Sequence, residues 1–112
     1  MTSSTAKAWE SKRTEETRSI ESLLGSVFDE ADAYRYNSAS IRVRVIDRRF
    51  ERISREKRDG MVEEQIDKLP PETQRDIVAL FTFAPSELAE PAKNFREFML
   101  NTEFEDPSPS VL

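Results

Sequence analysis

The sequence predicts a small α+β domain: a three-stranded sheet with helices on one face, plus a C-terminal helical extension. Three observations carry that prediction. Ile20, Leu23, Leu24, Val27 and Phe28 recur at helical spacing, IRVRVI (41–46) alternates apolar and charged residues, and IVALFTF (77–83) is rich in β-branched and aromatic residues. A chain of 112 residues fits one domain.

Residues 1–14 are polar apart from Trp9 and read as a flexible N-terminal segment in which Trp9 has no assigned role. The first helix is expected over 15–28, its apolar stripe facing a core. DEADAYRYNSAS (29–40) reads as a turn region with a short strand around Ala33–Tyr36. In the following strand Ile41, Val43 and Val45 take one face, with Arg42 and Arg44 turned toward water. The two strands, joined near Asn37, would form a hairpin.

Ser54 is placed to cap a helix over 55–68, in which Val62, Ile66 and Leu69 share a side and Pro70–Pro71 force a stop. Gly60 inside that helix costs about 1 kcal/mol relative to alanine, which suggests close packing or a slight bend. Segment 77–83 reads as a strand apolar on both faces, with a helix begun at Pro71 as the competing reading. Ser86 starts a short helical turn. Pro91 opens another helix with Phe95, Phe98 and Met99 on one side, and FEDPSPSVL (104–112) reads as a loose tail. The units are therefore 1–14, a domain over 15–90, and a C-terminal helix and tail over 91–112.

Composition narrows the chemistry. The chain has no cysteine and no histidine, so it offers no disulfide, thiolate nucleophile, Cys/His zinc site or imidazole acid–base group. Its two glycines cannot write a phosphate-binding glycine loop. Adjacent carboxylates such as Glu15–Glu16 and Glu63–Glu64 diverge by about 100° on a helix and do not converge on a substrate. An enzyme is not expected, nor any cofactor or metal. The longest apolar run, Ile77–Phe81, is far too short to span a bilayer, and the first residues lack the apolar middle of a secretory signal. The expectation is a cytoplasmic protein without membrane contact.

The run VRVIDRRFERISREKRDGMV (43–62) resembles the BolA-like family. It joins a strand to a Phe-containing loop (Phe50, Glu51) and then to a helix started by Ser54, with a basic residue, Arg58, on its second turn. IVALFTFAPSEL (77–88) is similar to that family's last strand and its proline-started helical turn. The likeness covers roughly residues 18–90 and implies a fold related to the class II KH arrangement, with a mixed sheet. The family often has glycine where this chain has Arg52, and its signature histidine would fall at Val78. The resemblance also implies pairing with monothiol glutaredoxins around an iron–sulfur cluster held by histidine or cysteine. This chain has neither residue and can donate no such ligand, so no iron–sulfur cluster is expected.

The charge distribution points to a surface. The formal net charge is −5, yet residues 42–58 hold eight basic residues against three acidic ones. That segment is +5, and the rest of the chain is −10. Arg48, Arg49, Arg52, Arg55, Lys57 and Arg58, extended by Arg42 and Arg44, could pair with phosphate oxygens, and a helix start offers free N–H groups to the same anion. In the BolA-like family this loop and helix are the region proposed to meet DNA. Neutralising about five phosphates would give a log–log salt slope near −4 to −5. Against this stand Asp47, Glu51, Glu56, Asp59, Glu63 and Glu64, which can neutralise many of these cations in a solvated face. The alternative function is a protein–protein adaptor. In that case the patch meets an acidic protein or, by homodimerisation, an acidic surface of a second copy.

Overall fold

A computed structural model describes residues 7–111. Helix α1 (Glu15–Gly25) is started by reciprocal bonds: the Thr14 hydroxyl accepts from the Thr17 N–H at 3.1 Å, and Thr17 Oγ1 accepts from the Thr14 N–H at 2.8 Å. It ends three residues before the predicted limit, and a turn carries Phe28 back into the core. Strands β1 (Glu30–Asn37) and β2 (Ser40–Ile46) form the expected antiparallel hairpin, and Asn37 Oδ1 accepts the Ala39 N–H across its turn. β1 is longer than the sequence suggested. Its acidic residues read as loop, but the register sets Asp32 opposite Arg44 and Tyr34 opposite Arg42, so each charge acquires a cross-strand partner.

After a 3-10 turn at Arg48–Phe50, α2 (Arg55–Ile66) starts at Ser54, whose hydroxyl accepts from the Lys57 N–H at 3.3 Å. A Cβ at Gly60 would meet nothing within 4 Å, so the close packing expected there is absent. Both readings of the next segment find a place: Pro71 opens the short helix α3 (Pro71–Asp76), and Ile77–Phe83 is strand β3. Helix α4 (Pro85–Ala89) and helix α5 (Phe95–Glu105) complete the chain.

The sheet has the order β1-β2-β3, with β3 parallel to β2, and is therefore mixed. Its register slips by one residue between Ile41–Arg42 on β2 and Ile77–Ala79 on β3. One face packs Ala33, Ile41, Val43 and Val45 against Ile20 and Leu24 of α1 and Val62 and Ile66 of α2. The predicted inward set of β2 is this face.

The other face is also covered, which the sequence reading did not foresee. Residues Ala8–Lys12 form a 3-10 turn that buries Trp9, and α5 lays Phe104 beside it. Phe104 is fully buried, with ring centroids 4.9 Å from Tyr34, 5.3 Å from Phe81 and 5.4 Å from Trp9. The flexible lead-in is thus corrected for the described part of 1–14, and the C-terminal extension is part of the core. The physical reason is area: Tyr34, Phe81 and Phe83 on the second face would otherwise lie in water. The tail after α5 is tethered too, for the Tyr36 hydroxyl donates to the Ser108 carbonyl at 2.7 Å. On α5 itself Phe95, Phe98 and Met99 do share a side, and that side faces outward, while Leu100 and Phe104 turn in.

Candidate functional site

The eight cations singled out from the sequence divide by environment. Arg42 and Arg44 do not point to water. α5 lies over their side of the sheet and supplies carboxylates to them. Arg42 Nη1 donates to Glu103 at 3.0 Å and its guanidinium stacks 3.7 Å above the Tyr36 ring. Arg44, 5 % exposed, donates to Asp32 at 2.7 and 3.1 Å, to Glu105 at 2.7 Å and to Asn101 at 2.8 Å. Arg58 is buried as well. It holds both Glu87 oxygens at 2.7 and 2.8 Å and donates to the Ile53 and Thr82 carbonyls. These three arginines bind parts of the chain to one another: β1 and α5 to β2, and α4 to α2.

The other five stand around the 3-10 turn and the start of α2. Arg49 donates to Asp47 at 2.9 Å and to the Val27 carbonyl at 2.6 Å. Arg48, its side chain 83 % exposed, lies 3.6 Å from Asp29, and Arg55 lies 3.8 Å from Glu97. Arg52 and Lys57 are exposed and have no ion-pair partner among the described residues. Arg52 also has φ of 63°, a left-handed backbone that favours glycine. The residue class that the resemblance placed at this position is the one its geometry suits, so a cation here is held at a cost of order 1 kcal/mol. Phe50 is fully buried against Phe28 and anchors the loop from below.

Four of the carboxylates that hold these arginines, Asp47, Glu87, Glu103 and Glu105, are kept below the usual carboxylate range. Burial alone would raise Glu87 and Glu105; hydrogen bonds from Arg58 and the Ala84 N–H to the first, and from Lys7 and Arg44 to the second, outweigh it and keep both below the usual carboxylate range. Glu103 is lowered in the same way against burial, by Ser108 and Arg42, and Asp47 by Arg49 and the Asp29 N–H. Glu30 is the exception, raised by burial and by neighbouring Asp32. A lowered folded-state value stabilises the fold above the ordinary carboxylate range, and that stabilisation is lost as pH falls through the lowered values. Thermal unfolding followed from about pH 7 to about pH 3 is therefore expected to show a falling midpoint, with a shallower fall in Glu105→Gln. An equal slope in that variant would count against the Arg44–Glu105 pair as a source.

Two other surface features accompany the loop. The α5 side chains Phe95 (66 % exposed), Phe98 and Met99 form an apolar face, and the Arg55–Glu97 approach sets the first turn of α5 beside that of α2. The shared spacing of those residues puts them on one side of the helix but does not say whether that side faces the core or solvent. The inward positions are largely polar (Glu97, Asn101, Glu105) and serve Arg55 and Arg44. Elsewhere, a groove of about 550 Å³ runs between α2 and β3. Among the described residues no group of acidic side chains is arranged to hold a metal ion, and no helix is long and apolar enough to cross a membrane.

No protein-family model and no curated protein matches the sequence. Among solved structures the chain is similar to the solution structure of BolA1 protein from Mus musculus. The TM-score is 0.56 and the identity 19 %, over all of this chain and 86 % of that one. The fold is BolA-like.

Proposed function

We propose that this chain, a BolA-like fold without histidine or cysteine, is a non-catalytic adaptor that docks an acidic protein partner on the α2–α5 end of the domain. The exposed Phe95–Phe98–Met99 face carries the reading. Apolar side chains of this size, standing together on a helix whose first turn meets α2 through Arg55 and Glu97, match the composition of a protein interface, where aromatic residues, Met and Arg are enriched. The free cations steer an acidic surface to the site, and the apolar face supplies the contact.

A nucleic-acid surface is the second reading, favoured by the unpaired Arg52 and Lys57 at the start of α2. It is weakened because Arg42, Arg44 and Arg58 are buried in ion pairs. Two free cations support a log–log salt slope of only about −2 on duplex DNA, against the −4 to −5 of a fully available segment. A photoreactive side chain placed at Phe98 is expected to cross-link protein in an extract, with capture reduced by Arg52→Gly combined with Lys57→Gln. Tight duplex retention with a slope near −4, abolished by that double variant, would replace the adaptor with a nucleic-acid binder.

A further inference from the structure

β3 lies at one end of the sheet order, and among the described residues its outer edge has no neighbouring strand. The direction of its backbone groups follows from two contacts. The Phe83 carbonyl accepts from the Asp47 N–H on the β2 side, and the Thr82 carbonyl accepts from Arg58 of α2. Alternation then turns the N–H and C=O of Leu80 to the open edge. No loop or side-chain hydrogen bond reaches Leu80 or Val78 among the described residues, and Val78 is 62 % exposed. Two devices guard the ends of this edge: the register slip at Ile77–Ala79 and the Arg58 cap on Thr82. Between them the strand stays open.

This open stretch floors the groove of about 550 Å³, whose far wall is α2 with Asp59, Glu63 and Asp67. Asp59 accepts a hydrogen bond from Thr82 Oγ1, whereas the exposed Glu63 and Asp67 have no ion-pair partner among the described residues. The groove thus offers unpaired backbone, an apolar contact at Val78 and uncompensated negative charge. We infer that it docks an extended cationic segment of a partner protein, which adds to β3 as a further strand. A nucleic acid is repelled by the same carboxylates. A second copy joined edge to edge would bring two such acidic walls together, and the basic loop of a second copy is helical at Arg48–Phe50 and Arg55–Ile66 and cannot pair as a strand. The inference concerns a surface separate from the α2–α5 end and stands whether or not that end binds protein.

The probe is a blocked peptide of alternating Lys and Val, seven residues long to match β3. It is expected to bind the full chain and to slow amide exchange at Leu80. Glu63→Lys with Asp67→Lys, both exposed positions, should weaken binding about tenfold. A Glu/Val peptide should not bind, and neither should the Lys/Val peptide with a central proline, which keeps the charge and loses the pairing N–H. Equal binding of the proline peptide, equal binding of the Glu/Val peptide, or binding without protection of Leu80 would each overturn strand addition. No binding of the Lys/Val peptide would remove the site.

Discussion

Arg44→Ala is expected to destabilise the domain by about 3–5 kcal/mol, because it removes the buried guanidinium that holds both Asp32 and Glu105, leaving Glu105 to Lys7 at 2.8 Å and Asp32 to Arg13 at 3.7 Å. The guanidinium is shared among β1, β2 and α5, donating to Asp32, Asn101 and Glu105 at once while lying 4.6 Å from the Phe104 ring. No single loss explains the size. Two carboxylates lose their buried partner, the packing of the arginine stem disappears, and α5 loses a tie to the sheet. Arg44→Lys should fall between wild type and alanine, since one ammonium keeps the charge but cannot span all three acceptors in the fork geometry. Denaturant unfolding of the three proteins measures this directly. A cost below about 1 kcal/mol for alanine would mean the pair behaves as an exposed one.

Phe104→Ala carries the other large effect, about 3–5 kcal/mol for a fully buried ring. Phe104 contacts Trp9, Tyr34 and Phe81, and its own carbonyl accepts the buried Tyr34 hydroxyl at 2.8 Å. Truncation opens a cavity where the N-terminal turn, α5 and the sheet meet, so Trp9 fluorescence should report the same transition as far-UV dichroism. Phe98→Ala, six residues away on the same helix, should change stability by no more than about 0.5 kcal/mol, because that side chain is exposed. If the two substitutions cost the same, α5 does not pack as described.

How much of this was legible beforehand differs from element to element. The IRVRVI alternation assigned Ile41, Val43 and Val45 to one core correctly, because a period of two survives whatever covers the strand. Ser54 and Pro71 marked helix starts through local chemistry that needs no distant partner. Ile77–Phe83 read as a strand because its residue types favour a pleat buried on both sides. By contrast, β1 was under-read, and the spacing on α5 did not say which of its sides faces the sheet. In both, polar residues face the space between sheet and helix (Asp32 on β1, Asn101 and Glu105 on α5), and that placement makes sense only once Arg44 is among them. Trp9 carried no signal at all, since a lone aromatic in a polar segment says nothing of a receptor contributed by residues 34, 81 and 104.

The same division holds for the basic segment. Its charge excess, the absence of histidine and cysteine, and the α+β class with a BolA-like strand–loop–helix run were properties of the chain itself, since they depend on residue type and near-neighbour spacing. Which cations remain available was decided only by the tertiary structure. An ion pair forms between groups that folding brings within about 4 Å, and Glu103, Glu105 and Glu87, which take Arg42, Arg44 and Arg58, lie 61, 61 and 29 residues further along the chain.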